Sequence, residues 1–508
     1  MTKKQISGGI VLSFFSQIIT IIVGLVYTPY MIRSLGQNEY GLYQLVLSVV
    51  NYLNLMNFGF NGAYIRFFYI AKSSGDKKRI ANINGMFLNI FMIISLLCIC
   101  AGILLYFNIG ILGSKLTPSD YVTAKKLLAM LVFNVALSFP NSLFVAYMAA
   151  NEDFIFQKAL GIAVNILIPL LTLPLLFMGF GSVGVVSVTL FLTAFRLAVN
   201  MFYCFARLKM RIDPKFFDKG IFASLLGYTF FIFVSDIVDQ LNSNVDKFLL
   251  GRITGTIAVA VYSVGYDLKN YYTIVSWIVP EMYVPEVNRL AIEEKNDEKL
   301  TELFTRIGRF NNYLVLLVLS GYILIGRQFI MLWVGKEYDT AYFAGLILMV
   351  SAYIPTVQTL GVNIQNAKNM HKVRSVVYFI TACVNVICSI FFIKLWGVIG
   401  TCIGTALATI AGCGLFMNYY YHKYIKLDIF YFWVRMIKWF PAAIILFIAG
   451  RLVLTCTEIN SWLSLFVFAF IYACVYVLAV YVFGLEKCEK NLLADNIRQK
   501  LFKNAKGA

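Results

Sequence analysis

The sequence predicts an all-α polytopic membrane protein with about fourteen transmembrane helices, and three observations predict it. Apolar residues make up 60% of the 508, charged residues only 13%, and the mean hydropathy is +0.77. A soluble fold cannot hide that excess, so lipid must be its solvent. Apolar runs that match a hydrocarbon core of roughly 30 Å, about 20 residues each, recur from one end of the chain to the other. Basic residues gather in every second loop between them.

The first run, Gly8 to Met31, follows Lys3 and Lys4 as a signal peptide would, but it is too long and has no small-x-small cleavage site, so it stays as helix one. Helices two to six follow as Tyr40 to Phe60, Gly85 to Phe107, Leu127 to Met148, Ala159 to Phe180 and Val183 to Phe205. Helix seven, Ile221 to Leu241, carries a polar stripe. Helix eight, Ile257 to Ile278, returns through a short loop. Helix nine, Asn311 to Gly326, has the shortest uninterrupted apolar stretch. Tyr342 to Leu360, Val376 to Ile393, Val398 to Met417, Trp439 to Leu454 and Trp462 to Phe483 complete the set. Two charged segments, Leu290 to Phe310 and the tail from Glu486, read as helices lying at the membrane surface. Seven prolines, Pro29, Pro140, Pro169, Pro174, Pro280, Pro355 and Pro441, fall within or at the ends of spans, where bundle neighbours tolerate bends.

The net charge of +18 suits nucleic acid at first sight, but its distribution points to topology instead. The clusters are Arg66, Lys72, Lys77, Lys78 and Arg79; Arg207, Lys209, Arg211, Lys215 and Lys219; and the tail from Lys487 to Lys506. All lie on one side when both termini are placed in the cytoplasm, as the positive-inside rule requires. No nucleic-acid partner is needed to explain the charge. Most of the ten Cys fall inside spans, where a thiol packs as a small apolar group, and His371 and His422 are the only histidines, both in loops. No metal or cofactor is expected.

A shift of 219 positions lays Arg33, Gly36, Tyr43, Asn51 and Tyr52 on Arg252, Gly255, Tyr262, Asn270 and Tyr271. Copies six helices apart cross the membrane in the same direction. Such parallel repeats are related by an axis along the membrane normal, with the substrate path between them near the midplane.

The stretch Tyr27 to Phe68, with a proline late in helix one, Arg33, Leu35-Gly36, Tyr40-Gly41-Leu42-Tyr43, Phe58-Gly59 and Arg66-Phe67, resembles the opening of the Wzx-type polysaccharide biosynthesis flippases. Their superfamily, the MOP exporters, also holds the MurJ lipid II flippases and the MATE drug exporters. Val245 to Leu268 resembles the family's Asp-x-x-x-x-Gly linker between helices seven and eight. The resemblance implies a flippase of the bacterial cytoplasmic membrane that moves an undecaprenyl-pyrophosphate-linked oligosaccharide by alternating access, with no covalent chemistry. It implies two pseudo-symmetric six-helix lobes, residues 1–212 and 213–427, around a central cavity. Helices thirteen and fourteen, within 428–484, would form a side groove for the lipid tail, before a basic tail at 485–508. A monomer working beside a polymerase and glycosyltransferases is the implied setting. One departure counts against lipid II: helix one has no Arg or Lys between Lys4 and Arg33, where MurJ-like flippases place cavity cations.

A charge at the bilayer centre costs at least about 2.5 to 3.5 kcal/mol, so each intramembrane charge needs a partner or an aqueous cavity. Arg196 lies in helix six, Asp236 and Asp239 in helix seven, and Asp267 and Lys269 in helix eight. Asp236, Asp239, Gln240 and Ser243 follow i, i+3, i+4, i+7 spacing and share a helix face. In the functional reading Lys269 and Arg196 attract the pyrophosphate, and Asp236, Asp239 and Asp267 hold a coupling ion or exchange partners. In the structural reading these charges form static salt bridges between helices. Arg66 is placed to meet the incoming lipid phosphate or to anchor helix two. Arg33 and Arg252 form an outer gate or snorkel at helix ends. The amides of Asn51, Asn134, Asn141, Asn165 and Asn200 suit sugar hydroxyls or helix-to-helix bonds.

Two other functions remain open. A MATE-like cation-coupled drug exporter shares the architecture and would use an anionic cavity. A membrane glycosyl-transfer enzyme needs an outer acceptor site, and the longest outer loop, between helices three and four, is short.

Overall fold

In the computed structural model, the described residues are 3–73, 75–113, 115–292, 297–368, 370–485 and 490, and the surface helix expected in the tail lies almost wholly outside them. No strand occurs among the described residues. The helices are α1 (Lys3–Val50), α2 (Phe60–Ser73), α3 (Lys77–Phe107), α4 (Pro118–Ala150), α5 (Phe154–Phe177), α6 (Gly181–Ala206), α7 (Lys219–Ile253), α8 (Thr256–Met282), α9 (Val284–Ile292) and α10 (Asp297–Trp333). They continue as α11 (Asp339–Val357), α12 (Thr359–Ala367), α13 (His371–Thr409), α14 (Met417–Lys423), α15 (Ile429–Ile437), α16 (Phe440–Cys456) and α17 (Trp462–Ala479).

Ten described segments are long and apolar enough to cross a membrane. Two of them are double: α1 is broken at Gly36 (φ 72°, ψ 169°) and α13 at Gly397 (φ 55°, ψ −125°), conformations open in practice to glycine alone. With α7 and α8, which carry the intramembrane charges, these make up the fourteen spans. Polar residues cap the ends. Asp76 accepts from the Lys78 and Arg79 amides at the start of α3, and Thr117 with Asp120 forms a capping box on α4.

Several boundaries differ from the sequence expectation. Helix two extends to Ser73 but is interrupted by a 3₁₀ turn at Asn51–Asn57 and by left-handed Phe58 and Gly59. A Cβ on Gly59 would stand 2.4 Å from Ile232, so close approach of α7 requires glycine there. Arg66 therefore lies within α2. Helix nine is one 37-residue helix that absorbs part of the charged segment expected at the surface. Helix seven runs three turns beyond Leu241, so the expected linker at Asp246 to Gly251 is helical and the turn falls at Gly255 (φ 110°). Gly255 is the repeat partner of Gly36, and both take a positive φ.

The chain divides into two compact units. The first comprises Met1–Tyr271, Phe343–Leu348 and Lys372–Cys413. Its core, including Leu42, Leu45, Tyr64, Phe87, Phe91, Leu128 and Phe139, is formed chiefly by α1 to α4 with parts of α6 to α8. Glycine lets helices close together here: a Cβ on Gly41 would lie 1.9 Å from the Thr256 carbonyl oxygen, and one on Gly251 would lie 2.4 Å from Leu45. The second comprises Tyr272–Tyr342, Met349–His371 and Gly414–Ala508. There α10 packs on α15, α16 and α17 around Tyr313, Leu324, Trp439, Tyr472 and Tyr476. Leu96, Leu97, Leu104 and Phe107 on α3 and Ile444, Ile445 and Leu452 on α16 are exposed, as lipid-facing positions should be.

Candidate transport site

The polar stripe of α7 is longer than the sequence reading made it. Because α7 continues, Asp246 and Lys247 add two further positions at i+10 and i+11 from Asp236, and both are buried. Charges within an apolar helix need compensation.

Asp246, 1% exposed, is surrounded by hydroxyls. Its Oδ2 accepts from Tyr262 Oη at 2.9 Å and Thr405 Oγ1 at 2.7 Å, and its Oδ1 accepts from Ser389 Oγ at 3.0 Å. Thr405 and Ser389 also stand 3.1 and 3.0 Å from the side-chain amide oxygen of Asn385. Each hydroxyl carries a single proton, so acceptors outnumber donors around Asp246. Turning the Asn385 amide end for end would let its NH₂ donate to both hydroxyls, which then both serve the carboxylate. Either arrangement surrounds one buried carboxylate with groups from α7, α8 and both halves of α13.

Lys247 donates to Gln44 Oε1 at 3.2 Å, and Gln44 in turn donates to Tyr40 Oη at 3.0 Å. The ammonium also lies 5.3 Å from the Tyr266 ring centroid, and Lys269 lies 5.3 Å from the same ring. One tyrosine thus serves two intramembrane cations, an arrangement that strengthens as water is excluded. Asp267 is within electrostatic reach of Lys247, and Asp246 within reach of Lys269. Asn244 ties the stripe to the 3₁₀ turn that follows α1: it accepts from Asn51 at 3.3 Å and donates one turn back along α7 to Gln240 at 2.6 Å.

The other expected residues divide by position. Asp236 and Asp239 face one another electrostatically toward the start of the stripe, where Asp239 also feels Arg374 of α13. Ser235 and Ser375 bond across the same helix pair at 3.2 Å. Arg196 sits apart on α6, half-buried, with an Nε that has no hydrogen-bond partner. It lies between two rungs that tie α6 to α4, Thr193 to Asn134 at 3.0 Å and Asn200 to Asn141 at 2.8 Å. Those amides bond helix to helix, as does Asn165, which donates to Thr20. Arg66, Arg33 and Arg252 are exposed, the last two at helix ends. Beside them Asn38 bridges helices, donating to Asp120 and accepting from Thr256, and Glu39 accepts from the Ser182 amide and hydroxyl at 2.7 and 2.6 Å.

The sequence reading missed Asp246, Lys247, Arg374 and the hydroxyls of α13. A continuation of the helix-seven spacing past Ser243 would have found the first two. Nothing in the local sequence points to Ser389 and Thr405, which reach Asp246 only through the fold.

The chain is 20% identical over 413 residues to the "Putative O-antigen transporter" of Shigella flexneri, covering 78% of this chain and 93% of that one. It is 22% identical over 515 residues to the "Uncharacterized membrane protein EpsK" of Bacillus subtilis (strain 168), covering 95% of each. The fold is similar to that of the lipid II flippase MurJ in an inward closed conformation, with a TM-score of 0.70 and 16% identity over 93% of this chain and 98% of that one. It is also similar to an inward-facing MATE family multidrug resistance transporter of the MOP superfamily, with a TM-score of 0.61 and 14% identity over 81% and 99%. Residues 7–279, more than half of the chain, match the polysaccharide biosynthesis protein family, and the protein belongs to that family.

Proposed function

We propose that this flippase moves an undecaprenyl-pyrophosphate-linked oligosaccharide across the bacterial cytoplasmic membrane by alternating access. The observation that carries the reading is the run of charges on α7 and α8, buried at Asp246 and Lys247, with Lys247 and Lys269 around Tyr266 and Asp246 and Asp267 within electrostatic reach of them. Lys269, with Arg196 on the other predicted lobe, attracts the pyrophosphate, whose two phosphates match cations held at intramembrane depth. Arg66 meets the lipid phosphate as it enters. Asp246 exchanges its hydroxyl donors for a proton or a hard monovalent cation, since a buried carboxylate ringed by hydroxyl oxygens suits either. Asp236, Asp239 and Asp267 supply the remaining coupling charges, and Arg33 and Arg252 close the outer side.

In this reading the lobes are residues 1–212 and 213–427, both termini are cytoplasmic, and a monomer works beside the polymerase and glycosyltransferases of its pathway. The absence of Arg or Lys from helix one between Lys4 and Arg33 supports a substrate other than lipid II. Deleting the gene tests the assignment. The lipid-linked oligosaccharide should accumulate in the cytoplasmic leaflet, and the wild-type gene should restore export. Normal export in the deletion strain, or export of amphipathic cations as the lost activity, would contradict it.

A further inference from the structure

The second compact unit carries a cavity of about 210 Å³ with a charge pattern that the transport reading does not use. Arg309 on α10, Arg435 on α15 and Lys438 just before α16 line it, together with Tyr313, Trp439 and the segment Phe483 to Leu485 that follows α17. Arg309 is 8% exposed and donates through Nη2 to the Gly484 carbonyl at 2.8 Å and to Tyr313 Oη at 3.2 Å. Tyr313 donates to the same carbonyl at 2.7 Å. Lys490 takes the nearby Val482 carbonyl at 2.9 Å. These two cations neutralise carbonyls at the end of the helical segment that continues α17, as C-terminal cations usually do. Arg435 and Lys438 border the cavity from another element.

The surroundings identify what such a cavity takes. Trp439 is fixed by its indole N–H, which donates to Tyr476 Oη at 2.9 Å, and Arg435 lies over Tyr431 at 5.1 Å. Aromatic residues interleaved with cations mark the headgroup level of a bilayer. Phe483 on the cavity wall is 77% exposed, and α16 begins beside it with exposed Ile444, Ile445 and Ile448. A ligand held at the cations therefore has an apolar helix surface along which hydrocarbon chains can run. Charge-assisted bonds from Arg and Lys suit phosphate oxygens.

We propose that this cavity binds the phosphate of a membrane lipid, with Arg435 and Lys438 as its principal ligands and Arg309 as the residue that positions the Gly484 turn beneath it. The site does not depend on the transported substrate. The shared chemistry admits a bulk anionic phospholipid or a polyprenyl phosphate.

The full-length protein, purified in detergent, is titrated with phosphatidylglycerol, undecaprenyl phosphate, diacylglycerol or inorganic phosphate, and retained ligand is read by native mass spectrometry. Wild type should retain at least one of the two phospholipids in preference to diacylglycerol, and the stronger arm names the source. Replacing both ligands (Arg435→Gln with Lys438→Gln) should weaken that binding about tenfold or more, since each juxtamembrane cation contributes measurably to anionic-lipid attraction. The charge-keeping exchange, Arg435→Lys with Lys438→Arg, should retain it, which separates lost charge from lost folding. Equal lipid binding by wild type and the double Gln variant would overturn the proposal. So would retention of diacylglycerol as strong as that of phosphatidylglycerol and undecaprenyl phosphate, or saturation by inorganic phosphate alone.

Discussion

Asp246 is where the interior chemistry is most constrained, because three hydroxyls from α8 and α13 converge on one buried carboxylate. Removing the carboxylate leaves those donors without their acceptor, and each orphan costs about 1–3 kcal/mol. Asp246→Ala should therefore lower the unfolding temperature in detergent well below that of Asp246→Asn, which keeps the shape and one acceptor oxygen. Both should abolish ion-coupled export. Equal thermal stability of the Ala variant and wild type would show that the hydroxyl network does not hold the helices. This residue was within reach of the sequence: the i, i+3, i+4, i+7 pattern from Asp236 extends to it. It was passed over because a charged pair ends an apolar window and so reads as a loop. Ser389 and Thr405 were not legible, since hydroxyls are common in membrane helices and only tertiary proximity to Asp246 marks them.

Among the elements, the two double helices depend on single glycines. Gly36 and Gly397 occupy regions of backbone space that a Cβ makes costly, by about 1–3 kcal/mol each. Neither has a neighbouring atom within 4 Å of an added Cβ, so the cost of substitution there is conformational and not steric. Gly36→Ala and Gly397→Ala should each lower the unfolding temperature. Gly161→Ala, inside α5 with the same open space and ordinary helical geometry, should leave it unchanged or raise it. Unchanged stability in Gly36→Ala and Gly397→Ala would mean that the breaks are not set by glycine. Span existence was legible throughout, because hydropathy reports immersion in lipid. The end of α7 was not, since a helix whose far turns pack on other helices can carry charge that an apolar window rejects. The interruption at Phe58-Gly59 depends on the approach of Ile232, a contact from more than 170 positions away that local sequence does not encode.

For the molecule as a whole, orientation follows from charge. The basic loops alternate with poorer ones, so reporter fusions after Gly110, Gly181 and Lys336 should report the outer side, and those after Lys77, Lys209 and Lys372 the cytoplasm. A reversed pair would refute the helix map. The central claim is that the charges of α7 and α8 act on the substrate and do more than hold helices together, and Lys269 separates the two roles. A static ammonium that merely balances Asp246 through shared surroundings can be replaced together with its partner by uncharged residues without loss of transport. An ammonium that attracts pyrophosphate cannot. The direct measurement is glycan export in a flippase-null strain carrying Lys269→Ala, Lys269→Arg, or Lys269→Ala with Asp246→Asn, each normalised to the amount of protein in the membrane. The account predicts that export is abolished by Lys269→Ala alone and in the double variant, and partly kept by Lys269→Arg. Normal export by Lys269→Ala, or its return in the double variant, would contradict it.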